Sequence, residues 1–199
     1  MKKLFAFTIS ICFVAMAFNR PSFSQTNTIG PPNGLEWGMS YSEAKTTLKS
    51  KNIKLEKPKH EKKLKLPKGF KAAKVGKYEI LDRKTDNNKA IFNADGELCS
   101  FQIIFRFSGP NTRKKFFDTE LKKAISGKYS GEGFKEHNEP DKAGIVPELA
   151  FKDEVGNEIS IYFQTVGAIL GPYYDIIVSY SNEEILAATR KQQKTTDLF

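Results

Sequence analysis

Apolar and polar residues change period several times along this chain, and each change marks an element. The longest alternation runs from Leu98 to Phe107, where Cys99, Phe101, Ile103, Phe105 and Phe107 fall on every second position. Period two over such a span predicts a strand with one buried face. Shorter apolar runs at Tyr78–Leu81, Ala90–Phe92, Leu149–Phe151, Ile159–Phe163 and Tyr174–Tyr180 predict further strands. Ala94-Asp95-Gly96 and Val155-Gly156-Asn157 carry hairpin-turn signals, and Thr85–Asn88 is a turn cluster.

Three stretches follow a helical period instead. Ser40 and Glu43 have capping-box spacing, Met39 and Ala44 can staple the entry, and Ala44, Thr47 and Leu48 form a stripe. The first helix is expected from Tyr41 to about Lys51. Phe117, Leu121, Ala124 and Ile125 recur at i, i+4, i+7 and i+8. Asn111 is the expected cap of this second helix and Gly127 its expected stop. Ser181 and Glu184 repeat the capping-box spacing ahead of Ile185 and Leu186. Residues 25–34 read as a disordered lead-in, Ser130–Gly144 as a polar loop, and 192–199 as a polar tail.

The order helix, three strands, helix, three strands, helix predicts an α+β fold: an antiparallel sheet with helices packed on one face. Ala90–Leu98 and Leu149–Ile159 share a short strand, an acidic glycine turn and a longer strand. They suggest a degenerate tandem helix-plus-three-strands repeat, with halves 35–108 and 109–191 inside a single domain, 35–191.

The first residues change the expected compartment. Met1-Lys2-Lys3 precedes an apolar run from Leu4 to Ala17. This has the form of a signal peptide, and it is shorter than the roughly 20 apolar residues that span a bilayer. Ser22-Phe23-Ser24 places cleavage before Gln25, making 1–24 the signal peptide, with Ala15-Met16-Ala17 as the second option. Ile11 before Cys12 is not the small residue a lipid-attachment site needs. The expectation is an exported protein, periplasmic or extracellular, with no integral membrane segment after cleavage.

Export leaves Cys99 as the single cysteine, so no internal disulfide is expected. Its place in the alternation puts the thiol on the apolar face, as a small, slow-reacting hydrophobe.

Charge is unevenly spread. The formal net charge is +9, and Lys49–Lys77 holds twelve lysines against Glu56 and Glu61. Pro58, Pro67 and Gly69 interrupt this segment. It reads as a long exposed connection, with an extended piece around Lys62–Leu66. Lys57, Lys59, Lys62, Lys63, Lys65 and Lys68 lie close together and form a candidate anion-binding strip. Export and the scarcity of arginine argue against nucleic acid as its partner. Acidic polymers of an envelope or an extracellular matrix suit it better.

No nucleotide-binding, metalloprotease or nucleophile-elbow motif is present. No catalytic residue, cofactor or metal site is therefore assigned. The loop residues Glu132, Glu136, His137, Glu139 and Asp141 lack metal-ligand spacing. The chain has two histidines, both in expected loops. Trp37 is expected to anchor the core.

Trp37-Gly38-Met39-Ser40-x-x-Glu43-Ala44-x-x-x-Leu48 resembles the opening of many small, uncharacterised, exported bacterial proteins. The tandem plan is similar to that of β-lactamase inhibitor protein, and distantly to the small lipoprotein subunit of the outer-membrane assembly machine. The resemblance covers about a dozen residues and implies binding rather than catalysis. The preferred reading is an exported non-catalytic binding protein of the bacterial cell envelope. Two others stay open: an adhesin holding anionic polymers through the lysine segment, and an enzyme or enzyme inhibitor with no recognisable motif.

Overall fold

The computed structural model describes residues 28–60, 66–140, 144–167 and 171–188. The expected signal peptide, Lys62, Lys63, Lys65, Asp141 and the polar tail lie outside the described residues.

Helix α1 (Tyr41–Ser50) begins at the expected capping box. The Glu43 N–H donates to Ser40 Oγ at 3.3 Å, and the Ser40 N–H donates to the Glu43 carboxylate at 2.8 Å. The Ser40 backbone and hydroxyl bonds hold the Glu43 carboxyl below its ordinary range. Ala44 and Leu48 form the buried stripe.

The lysine segment is not one long exposed connection. Part of it is the edge of the sheet. Strand β1 (Lys71–Lys74) pairs with β4 (Lys89–Phe92), and on its other side Leu55 bridges Val75 and Lys59 bridges Ala72. Backbone bonds between Lys59 and Ala72 run both ways at 2.9 Å. The cause is the apolar residues threaded between the lysines: Ile53, Leu55, Phe70, Ala72, Ala73 and Val75 are all buried. Strands β2 (Glu79–Ile80) and β3 (Arg83–Lys84) form a separate small hairpin. Its turn residues Leu81 and Asp82 both have positive φ, which cuts the expected Tyr78–Leu81 strand short.

β5 (Leu98–Phe107) leads into a continuous helical run: α2 (Pro110–Phe116), a π-helical turn (Phe117–Leu121) and α3 (Lys122–Tyr129). Gly109, not Asn111, is the N-cap, and Pro110 opens the first turn where its missing N–H costs nothing. Gly127 does not stop the helix. The wide π turn keeps Phe117, Leu121, Ile125 and Tyr129 on one buried line, while Ala124 is exposed. The last of these rings packs on Phe134 and Phe151.

The expected loop Ser130–Gly144 contains an edge strand, β6 (Phe134–His137). It pairs with β7 (Leu149–Asp153), which pairs with β8 (Asn157–Val166), then β9 (Tyr173–Asn182). The sheet is antiparallel, with order β1-β4-β5-β9-β8-β7-β6. Each half is thus a helix followed by a meander, and the last strands of the two meanders meet antiparallel at the centre, from Ser100 opposite Ser181 to Phe107 opposite Tyr174. The fold is α+β.

α1, α2 and α3 cover one face. Their buried residues share a core with Phe101, Ile103, Phe105 and Phe107 of β5, Ile159 and Ile161 of β8, and Ile176 and Val178 of β9. Residues 183–188 form a closing helix that turns to the opposite face, where Ile185 and Leu186 pack on Phe70, Ala72, Ile91 and Cys99. Its cap is Asn182, whose Oδ1 accepts from the Ile185 N–H at 2.7 Å; Ser181 remains in β9.

Cys99 is fully buried, but not on the expected face. Ile91 is opposite Ser100 while Phe92 is opposite Leu98, so Cys99 is the extra residue of a β-bulge. The bulge reverses the alternation, putting Leu98 with the helix-side core and Cys99 with the other. Its thiol donates to the Ile91 carbonyl.

The lead-in is also ordered where described. Ile29 is buried, and its N–H donates to Asp153 at 2.7 Å. The Trp37 indole N–H in turn donates to the Ile29 carbonyl at 2.8 Å, which explains its place against the core. Among the described residues no helix is long and apolar enough to cross a membrane.

Candidate functional site

The face away from α1–α3 is where the sequence changes character. At the middle of β5, β8 and β9 the helix-side positions are Phe101, Ile103, Ile159, Ile161, Ile176 and Val178, and the alternate positions include Ser100, Gln102, Glu158, Ser160, Ser179 and Ser181. Antiparallel register sets these into rows across the sheet. One row reads Gln102, Ser179, Ser160, Ala150, His137. The next reads Ile91, Ser100, Ser181, Glu158, Lys152. Small side chains in the middle of both rows leave the floor low. Larger groups stand around it: Leu66, Pro67 and Phe70 on one side, Pro140 and Ile145 on the other, and Leu186 from the closing helix. The result is a half-open groove of about 650 Å³.

Some floor groups are committed to the fold. The Ser100 hydroxyl donates to the Tyr180 carbonyl at 2.9 Å, and the Ser160 hydroxyl donates to the Glu158 carboxylate. His137 is different. Its side chain is 12% exposed, yet both ring nitrogens are buried with no hydrogen-bond partner. Its Nε2 is 3.8 Å from the Glu158 carboxylate, beyond hydrogen-bonding distance. A buried polar group without a partner is costly enough to need an explanation.

Beyond the groove, Asp175 receives two bonds from Arg106, at 3.0 and 2.9 Å, and the same guanidinium reaches Asp86 at 3.2 Å. The Asp175 bonds push the Arg106 pKa further up. Arg106 also stacks on the Tyr173 ring at 4.8 Å. This cluster is closed on itself and fixes the register of β5 against β9.

Of the six lysines proposed from sequence, Lys57, Lys59 and Lys68 are described, and all three are exposed. They flank the β1 edge with the exposed Lys54, Lys71 and Lys74. Lysines on an outer strand also block edge-to-edge pairing with another sheet. Among the described residues no cluster of three His, Cys, Asp or Glu is placed to hold a metal ion.

Sequence reasoning missed the groove. Its floor residues are scattered from Ser100 to Ser181, and the signal was the polar half of each alternating strand, which reads as ordinary solvent-facing surface. His137 was expected in a loop, and lies on β6.

Serine, carboxylate and imidazole do come together here, but not in the order nucleophilic catalysis uses. That chemistry needs the imidazole bonded to the hydroxyl and the carboxylate behind it. In this groove the carboxylate takes the serine hydroxyl and stands between it and the imidazole. Ser160 is also 2% exposed. No family model, curated protein or solved structure matches the chain significantly.

Proposed function

We propose that the protein is an exported, non-catalytic binding protein of the bacterial cell envelope, and that the groove on its open sheet face is the binding surface. The observation that carries this reading is the polar-floored groove of about 650 Å³ on the open sheet face, with the imidazole of His137, whose nitrogens have no hydrogen-bond partner, at its edge. The Met1–Ser24 segment supports export.

Two measurements test it. N-terminal sequencing of the exported protein is expected to give Gln25; a chain keeping Met1 in a membrane fraction would overturn export. Immobilised mature protein should retain a component of envelope extract and lose it when Ser179→Trp fills the groove at unchanged thermal midpoint. Equal retention by the filled variant would remove the groove from the proposal.

A second reading rests on the lysine edge. Exposed Lys57, Lys59 and Lys68 beside the β1 edge support adhesion to an anionic polymer, independently of the groove.

A further inference from the structure

The groove has a more specific chemistry than its shape. Its floor offers hydroxyl and amide groups that both donate and accept: Gln102, Ser179 and Ser181 on the central strands, with Tyr162 and Gln164 alongside. Gln102 and Ser179 stand opposite each other on β5 and β9, with the other groups in neighbouring rows, and a ligand lying across the sheet meets a new strand about every 4.8 Å. That spacing is close to the length of one sugar unit in an extended polysaccharide. Beside the polar groups lies the half-buried Ile177, an apolar surface against which a sugar ring packs its C–H face.

Charge narrows the ligand. Glu139 and Glu158 line the groove against Lys152, with His137 beside Glu158. Carboxylates on its floor and rim make it a poor receptor for a polyanion. The polar complement of this floor is therefore a chain of neutral hydroxyl and amide groups. An extended peptide fits less well. Its backbone is usually recognised by adding to a sheet edge, whereas this surface is a sheet face whose own backbone bonds are satisfied within the ladder.

We propose that the groove binds an extended neutral glycan laid across β5, β9 and β8, with Gln102 and Ser179 contacting the sugar hydroxyls and His137 closing one end. This rests on the groove being the binding surface. The probes are the N-acetylglucosamine hexamer and cellohexaose, each added to the isotope-labelled full mature chain. Amide resonances of β5, β8 and β9 should shift with at least one of the two at millimolar concentration. The Gln102→Ala/Ser179→Ala variant removes two half-buried contacts and should bind about tenfold more weakly with an unchanged amide spectrum. Because both side chains are peripheral to the core, Ser179→Trp serves as a second, steric test and should abolish the shifts.

Three results would overturn the inference: no shift with either hexamer, shifts confined to residues outside the groove, or shifts produced by a heparin hexamer or an extended peptide but not by neutral sugars. If the groove-filled variant still loses the envelope component while neither hexamer binds, the glycan assignment falls and the binding-protein reading stands.

Discussion

The two faces of the central strands are built from the same backbone and obey opposite rules. On the helix side Phe101, Ile103, Ile161, Ile176 and Val178 are each at most 2% exposed, and they hold α1–α3 to the sheet. One residue away, Gln102 and Ser179 turn to the groove. The first face is where folding free energy is concentrated. The second leaves space unfilled, which a sheet whose only task was stability would close with larger apolar groups. The difference separates residues that make the fold from residues free to recognise something.

Adjacent positions on β5 test this most sharply. Phe101→Ala leaves a cavity under the helices and should cost about 3–5 kcal/mol. Gln102→Ala, the next residue, should change stability by less than about 0.5 kcal/mol. Chemical denaturation of the two variants reads both numbers. Equal losses would mean that the open face is a second core.

Asp153 extends the comparison to a buried polar group. It is 6% exposed and accepts from the Ile29 N–H, the Asn157 N–H and the Asn157 side chain, at 2.7, 2.7 and 2.8 Å. Asp153→Ala strands these donors and releases the lead-in, at an expected cost of about 2–3 kcal/mol. Release should also show as faster amide exchange at Ile29. An unchanged exchange rate there would mean that Trp37 alone pins the segment.

Alkaline pH gives a smaller effect confined to the covered side. Burial raises the pKa of Tyr78 and of Tyr180, so both stay protonated where an ordinary phenol ionises. A raised folded-state pKa contributes stability that is intact below the unfolded-state value of about 10 and is lost as pH climbs above it. Stability should therefore be flat to about pH 9 and then decline. Phenolate absorbance of Tyr78 and Tyr180 should appear with unfolding; if removing Tyr180 (Tyr180→Phe) leaves the alkaline decline unaltered, that residue is not its source.

The sequence carried the covered face well and the open face poorly, for one physical reason. A buried alternation such as Phe101 to Phe107 is written in residue type, and so was the Ser40–Glu43 capping box. Long-range pairing is not. Lys59 with Ala72 and β6 with β7 depend on partners that local period does not name. The Cys99 bulge inverts a face by one inserted residue while leaving the apolar count intact, so the alternation placed the thiol on the wrong side. The groove exists only once register brings Ser100, Ser160, Ser179 and Ser181 together across three strands.

The smallest expected change in stability comes from the edge. Lys57, Lys59 and Lys68 are exposed, yet Lys59 lies in a backbone-paired segment, so the fold there depends on the main chain and on Leu55, Phe70 and Ala72 rather than on the ammonium groups. Replacing the three lysines with glutamine keeps the side-chain length and removes charge. The thermal midpoint should move little, since exposed charges contribute about 0–1 kcal/mol each at most. Retention on a heparin column should fall clearly, because the attraction is a sum over several lysines and is screened beyond about 8 Å at physiological salt. Neutral hexamer binding in the groove should be unaltered by the same substitutions. Unchanged heparin retention would leave the edge lysines with the task of keeping the sheet from pairing with another, and a drop in hexamer affinity would join the two regions that the fold holds apart.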